Sequence, residues 1–359
     1  MNFPGGISMK HFTRRKAFAV GAGALAAPAV IGSTSALAQQ QTLTISSWGG
    51  AYQKAQRQAW FDVVEKELGI TIKEETTSGI ADVRAQVASG RPTWDLVQQG
   101  NYGGAILEKE GKLEKLDPAV LKIEGISASM KGEAWISNLV YAATLAWNDA
   151  KYKDKKPEKW ADMWDLKSFP GSRTMRRSPV YNLEAALIAD GVPMDKLYPL
   201  DTERAFKKLK EIKRNVAVWW ASGAQSAQVL KDGDVDMALI WNGRAQDLMK
   251  DGAKVGLTFN QQILLTDCWV IPKGSPKKDL AMKAIEIMSR PEVQARIALY
   301  INYGPANAKA FDTGIIKPEV AAALPSSPEN AKKGFVLDAN YWAGNLDKLT
   351  EKFDLFTQE

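Results

Sequence analysis

The feature that most constrains the fold is a repeated alternation of short strand-like and helix-like segments. QTLTISS (residues 41–47) alternates like a half-buried strand, and a Gly-Gly pair separates it from the helical pattern WFDVVEKELG (residues 60–69). ITIKEETTSG (residues 70–79) and WDLVQQG (residues 94–100) repeat the strand pattern, each followed by a helical segment. Short alternating units favour a parallel sheet covered by helices. We therefore predict an α/β fold.

A second α/β unit follows the long strand pattern NLVYAATLAWNDAKY (residues 138–152), and QQILLTDCWVIPKGSP (residues 261–276) returns the chain to the first unit. A chain of this length exceeds one core. We predict two lobes with a hinged cleft between them. Residues 39–147 plus 271–359 form the N-terminal lobe, with the C-terminal helices either in it or shared, and residues 148–270 form the C-terminal lobe. Ligands of open α/β sheets bind beyond the carboxyl ends of strands, so we expect the site in the cleft.

The first 38 residues have the pattern of an export signal. Arg14, Arg15 and Lys16 precede a Gly/Ala-rich apolar run, and Ala36-Leu37-Ala38 ends it as a cleavage site. The run is too short and too weakly apolar for a membrane span. The paired arginines are typical of a twin-arginine signal. We predict a periplasmic protein cleaved near Ala38.

The mature chain lacks the residues that most catalytic and metal sites require. The only histidine, His11, lies in the signal, and Cys268 is the only cysteine. These counts exclude Cys/His zinc sites, a Ser-His-Asp triad and an intramolecular disulfide. The formal charge of +6 falls to about +2 without the signal, which leaves no basic surface for nucleic acid. We predict a binding protein without metal or cofactor, with an enzyme that uses the same cleft as the weaker alternative.

An ordered set of segments resembles a known family. The segments are WFDVVEKELGITIKEE, WDLVQQGNYGGAILEKEGKLEKLD, KWADMWD, GDVDMALIWNG and LLTDCWVIPKGSP. Together they resemble the type II periplasmic solute-binding proteins of ABC importers, in the branch that binds putrescine and spermidine. The resemblance implies two lobes that close on a small solute. It also implies a monomer that delivers the solute to an importer permease.

The resemblance also implies which residues line the site. By position in the family's segments, the aromatic walls are Trp48, Tyr102 and Trp241, and Tyr303 is a further aromatic at the cleft. Asp267, just before the returning strand, is the carboxylate that holds an ammonium group.

The departures from the polyamine pattern concern charge. Polyamine binders carry two acidic residues at the start of the second lobe, where this chain has Ser178 and Tyr181 beside Arg176 and Arg177. After IWNG the family has a small residue, whereas this chain has Arg244 at the first turn of a helix that Asn242-Gly243 caps. One anionic end of the site is lost and a cation is added.

A site with one carboxylate and added arginines suits a ligand with one ammonium group and one anion. We predict an ω-amino acid, foremost γ-aminobutyrate (GABA), with its carboxylate on Arg244 and its amine on Asp267. Ser178, Ser222 and Gln225 are further candidates for polar contacts. β-Alanine, 5-aminovalerate, 2-aminoethylphosphonate and polyamines are the competing ligands.

Each of these residues also has a purely structural interpretation. Arg244 would pair with Asp247 three residues on, and Asp267 would bind only backbone. Trp241 would pack between the lobes. Only one of Arg176 and Arg177 can face the cleft, because neighbours on a strand point to opposite sides.

Overall fold

A ten-stranded sheet forms the centre of the fold. The computed structural model describes residues 41–358, so the predicted signal and its cleavage site at Ala38 lie outside the described residues. The strands are β1 (Thr42–Ser47), β2 (Thr71–Thr76), β3 (Leu96–Gly100), β4 (Trp135–Asn148), β5 (Arg173–Arg176), β6 (Val216–Trp220), β7 (Met237–Trp241), β8 (Val255–Val270), β9 (Gly304–Pro305) and β10 (Phe335–Val336).

Helices cover this sheet. They are α1 (Gly50–Gln56), α2 (Asp62–Leu68), α3 (Ile80–Ala88), α4 (Asn101–Lys109), α5 (Trp160–Trp164), α6 (Asn182–Ala189), α7 (Thr202–Ile212), α8 (Gly223–Lys231), α9 (Asn242–Lys250), α10 (Lys278–Ser289), α11 (Pro291–Gln294), α12 (Pro318–Ala322), α13 (Pro328–Ala331) and α14 (Ala339–Gln358). A π-helical turn at Arg57–Phe61 joins α1 to α2. None of the helices in the described range is long and apolar enough to span a membrane.

Two long strands join the two ends of the sheet. The strand order is β2-β1-β3-β8-β4-β7-β5-β6. At one end of the sheet, β1 pairs parallel with β2 and β3. At the other end, β5 pairs parallel with β6 and β7. Between these ends, the long strands β4 and β8 pair antiparallel with each other. β8 also pairs antiparallel with β3, and β4 with β7. The predicted α/β sheet is therefore present, with an antiparallel centre.

Two local interpretations need correction. The segment VAVWW forms strand β6, which the helical pattern before it concealed. Asp267 lies inside β8 rather than before the returning strand, because β8 runs unbroken for 16 residues through the centre of the sheet. There Asp267 pairs with Gly100 on one side and with Leu139 on the other.

The C-terminal helix α14 contacts both ends of the sheet. It packs against α4 at one end. At the other end, Phe353 is fully buried and lies 5.4 Å from Trp219 and 6.3 Å from Phe206, measured between ring centroids. The predicted lobe boundaries, at residues 147–148 and 270–271, remain a prediction.

Candidate functional site

Residues at or just beyond the carboxyl ends of five strands line one cavity. The strands are β1, β2, β3, β5 and β7, and the cavity has a volume of about 830 Å³. Seven predicted site residues line it: Trp48, Tyr102, Arg176, Trp241, Arg244, Asp267 and Tyr303. Among its described lining residues, Asp267 is the only acid and the two arginines are the only bases. The cavity can therefore offer opposite charges to one ligand.

The loop after β1 holds the first aromatic wall in place. Gly49 and Gly50 have φ angles of 73° and 58°, a backbone region that glycine enters without steric cost. The resulting turn directs Trp48 toward Asp267, and the indole Nε1 donates a hydrogen bond of 2.9 Å to Oδ2 of that carboxylate. The two positive φ angles therefore explain why glycines follow Trp48 in the sequence.

Asp267 is buried but only half of its carboxylate is occupied. Its side chain is 5% exposed, and the hydroxyl of Tyr52 donates a second hydrogen bond, of 2.7 Å, to the same Oδ2. No described residue donates to Oδ1, so this oxygen can accept a hydrogen bond from a ligand. The alternative that Asp267 binds only backbone is wrong, since both donors are side chains.

Burial raises the pKa of Asp267 to about 6, while the hydrogen bonds from Tyr52 and Trp48 favour the ionised form. The carboxylate is therefore ionised at neutral pH. A ligand ammonium beside it would lower this pKa further, because an opposite charge stabilises the anion.

Arg176 is the more deeply placed of the two guanidinium groups. It ends β5, and its Cζ lies 4.9 Å from the ring centroid of Tyr181 and 5.6 Å from that of Trp241. Its Nη1 atom is buried and has no hydrogen-bond partner among the described residues. An unpaired buried N–H is costly, so this nitrogen is suited to receive an anionic ligand group.

Arg244 lines the same cavity but its side chain is exposed to solvent. It is the third residue of α9, in the predicted first turn. The predicted cap is corrected: Trp241 occupies the N-cap position, and the Asn242 side chain instead accepts a hydrogen bond from the backbone N–H of Ala142 in β4. Asp247 accepts from Asn302 at 3.3 Å rather than from Arg244, so the predicted structural pairing of Arg244 is not formed.

Three tyrosines of the cavity were missed by the sequence analysis: Tyr52, Tyr141 and Tyr181. Tyr141 lies 6.1 Å from Trp241 and 5.6 Å from Tyr303 between ring centroids, so it forms the cavity wall on β4. A tyrosine inside the apolar run NLVYAATLAW was a usable signal. Tyr181 also gave a signal, because it stands at a position where polyamine binders carry an acidic residue, but its φ of 77° cannot be read from the sequence.

Four predicted residues are not among those that line the cavity. The Arg177 side chain is exposed and lies 3.8 Å from Asp354 of α14. Ser178 accepts a hydrogen bond from the N–H of Val180, and Ser222 caps α8 by accepting from the N–H of Gln225. The Gln225 side chain accepts from the N–H of Ala221. Each of these four side chains therefore has a contact outside the cavity, and none of them belongs to the proposed site.

A family model described as bacterial extracellular solute-binding protein matches residues 59–325 of the chain. A gamma-aminobutyric acid-binding protein of Pseudomonas aeruginosa is 34% identical, over 90% of this chain and 92% of its own length. A spermidine/putrescine-binding periplasmic protein of Escherichia coli is 26% identical, over 71% of this chain and 75% of its own. The predicted resemblance to this family is confirmed.

Solved structures share the fold over nearly their whole length. A substrate-binding protein of an ABC transporter from Bradyrhizobium japonicum is 42% identical with a TM-score of 0.85, covering 88% of this chain and 99% of that one. The periplasmic protein MotA of A. tumefaciens B6, in complex with glucopine, is 38% identical with a TM-score of 0.79, covering 88% and 100%. The Atu4243-GABA receptor is 34% identical with a TM-score of 0.81, covering 88% and 98%.

Proposed function

The chain belongs to the bacterial extracellular solute-binding proteins, and we propose that its cavity binds a small zwitterionic amine, foremost GABA. The observation that supports this most is the pairing of charges in one cavity. Within residues 41–358, Asp267 has an Oδ1 atom that accepts no hydrogen bond, and Arg176 has a buried Nη1 atom without a partner. A ligand with an ammonium group at one end and a carboxylate at the other satisfies both.

At the ammonium end, Asp267 forms the ion pair and the aromatic side chains around it add cation–π attraction. Trp48 and Tyr52 hold the carboxylate in place through Oδ2. A cation over a well-placed ring gains roughly 0.5–2 kcal/mol. This end of the site would accept an amine of any chain length, including a polyamine.

The anionic end separates an amino acid from a diamine. Arg176 is the main carboxylate contact in this proposal because it is half-buried among aromatic rings with its Nη1 atom buried, and exposed Arg244 is the second. This reverses the order predicted from the sequence, in which Arg244 came first. A diamine would place its second ammonium beside a guanidinium and leave that guanidinium unpaired, which costs about 1–3 kcal/mol or more.

The same proposal places the protein outside the cytoplasmic membrane, where it delivers the ligand to the permease of an ABC importer. The family is extracellular by description and a 42% identical structure is a substrate-binding protein of an ABC transporter. The predicted signal up to Ala38 would export it.

The test is calorimetry of the ligand-stripped protein with a panel of ligands. The panel contains GABA, β-alanine, 5-aminovalerate, 2-aminoethylphosphonate, putrescine and glucopine, the last because a 38% identical protein binds it. We expect GABA or its chain-length neighbours to bind most tightly and putrescine to bind weakly or not at all. Tightest binding of putrescine would restore the polyamine alternative, and tightest binding of glucopine would replace GABA as the proposed ligand.

A further inference from the structure

A buried carboxylate outside the cavity ties three separate elements together. Glu184, the third residue of α6, is fully buried. Its Oε1 accepts hydrogen bonds of 2.7 Å from the hydroxyl of Tyr198 and of 2.7 Å from the indole Nε1 of Trp342 in α14. Its Oε2 accepts a hydrogen bond of 2.9 Å from the backbone N–H of Tyr181. Two side-chain donors therefore bind Oε1 of Glu184, while Oε2 binds the backbone N–H of Tyr181.

That backbone position is strained. Tyr181 has a φ of 77° and a ψ of −41°, a region that bulky residues rarely adopt and that persists only where surrounding contacts impose it. Glu184 supplies one such contact. The side chain of Asn182 supplies two more contacts next to Tyr181. It donates hydrogen bonds to the carbonyl oxygens of Arg176 at 2.6 Å and of Ser178 at 2.8 Å.

The strained residue faces the guanidinium of the site. The ring of Tyr181 is buried, lines the cavity and lies 4.9 Å from Cζ of Arg176. The position of Tyr181 therefore limits where the guanidinium can lie. Glu184 itself is not among the residues that line the cavity, so any effect it has on binding acts through Tyr181.

We propose that Glu184 is a positioning residue for ligand binding: it fixes Tyr181 against Arg176 and thereby holds the anion-binding guanidinium in place. This rests on the proposed function, in which Arg176 binds the ligand carboxylate. It also couples the site to α14, since Trp342 bonds the same carboxylate.

The main variant is Glu184→Gln, which keeps the size of the side chain but cannot accept from all three donors. Tyr198→Phe is the matched control, because it removes a donor to Oε1 and leaves the bond to Tyr181 intact. Calorimetry with GABA is done at about pH 8, above the pKa of about 7 to which burial raises Glu184. We expect Glu184→Gln to weaken binding about tenfold, within the range over which residues of one hydrogen-bond network are coupled, and Tyr198→Phe to change it less than about threefold.

A double-mutant cycle separates positioning from general damage. In an Arg176→Met background, we expect Glu184→Gln to weaken residual binding by no more than about twofold, because the group it positions is gone. Fully multiplicative effects, or wild-type affinity in Glu184→Gln, would overturn the proposal. If Glu184→Gln does not fold, Glu184→Asp takes its place with the same expectations.

Amide hydrogen exchange of the unliganded protein gives a readout that needs no ligand. Glu184→Gln should speed exchange at the Tyr181 amide, and Tyr198→Phe should leave it unchanged. If the wild type binds none of the panel, the proposed function has failed, and the exchange result still decides whether Glu184 fixes Tyr181. Unchanged exchange in Glu184→Gln would refute that role.

Discussion

At the residue scale, Arg176 and Arg244 differ in surroundings although both line the cavity. Arg176 lies among Tyr181, Trp220 and Trp241, with its Nη1 atom buried. Arg244 is exposed. Water competes for an exposed guanidinium and screens its charge, so the half-buried guanidinium of Arg176 should contribute more to binding an anion.

Replacing each arginine by methionine compares the two directly. We expect Arg176→Met to weaken GABA binding by about a hundredfold or more, which corresponds to the roughly 3 kcal/mol of a lost charged hydrogen bond. Arg244→Met should weaken it by less than about tenfold. Calorimetry on both variants measures the difference, and the reverse order would return Arg244 to its predicted role.

The raised pKa of Asp267 predicts how the affinity for the ligand depends on pH. Only the ionised carboxylate holds an ammonium, and burial raises its pKa to about 6, so GABA affinity should be constant above about pH 7 and fall as the pH drops through 6. A titration of affinity between pH 4.5 and 8 measures this. Asp267→Asn should bind weakly throughout and lose the pH dependence; a variant that binds like the wild type would remove Asp267 from the site.

The same pKa bears on stability. Because the folded state raises the pKa of Asp267 above that of the unfolded chain, the folded state binds the proton more tightly. The contribution of this group to stability is therefore present below about pH 4 and is lost as the pH rises through about 6. A bound ammonium offsets that loss, so the increase in Tm on adding GABA should be larger at pH 7.5 than at pH 5.

At the element scale, helix α9 lies close to the segment that carries Tyr303. A Cβ added at Gly243, in the first turn of α9, would lie 2.7 Å from Cε1 of Tyr303. The Asn242 side chain also donates to the carbonyl oxygen of Asn302, at 2.8 Å. Helix α9 and the ring of Tyr303 therefore pack so closely at Gly243 that a methyl group does not fit between them.

Two glycine-to-alanine changes should consequently have opposite effects. Gly243→Ala should displace Tyr303, destabilising the protein and weakening ligand binding. Gly344→Ala, in the exposed face of α14, would bring its Cβ no nearer than 3.8 Å to Lys109. It should raise the free energy of unfolding by about 0.5–1 kcal/mol through higher helix propensity. Urea denaturation measures both, and equal effects would contradict the packing described.

At the scale of the whole molecule, residues from both ends of one sheet line the cavity. The carboxyl ends of β1 and β3 supply one wall and those of β5 and β7 the other, while β4 and β8 run through both. A relative motion of the two walls would therefore have to be accommodated by the long strands and by α14, which contacts both ends.

This arrangement predicts a ligand-dependent change of shape. Small-angle scattering should show a smaller radius of gyration with saturating GABA than without it, because a ligand bound to both walls favours the closed form. Asp267→Asn at the same GABA concentration is the control and should show no decrease. A radius that is unchanged in the wild type, under conditions where calorimetry shows binding, would contradict closure.

The sequence alone determined the α/β class, because strand and helix periodicity are local properties. The resemblance of its ordered segments to a family, and the charges that depart from that family, indicated seven of the residues that line the cavity. Tyr141, inside an apolar strand, was also within reach of that reasoning. The tertiary structure decided which arginine is the less exposed, placed Tyr52 on Asp267 and imposed the strained backbone of Tyr181. Each of these depends on contacts between segments far apart in the chain, such as Trp342 with Glu184. Burial and pKa arise from all the neighbours at once, and no local pattern contains them.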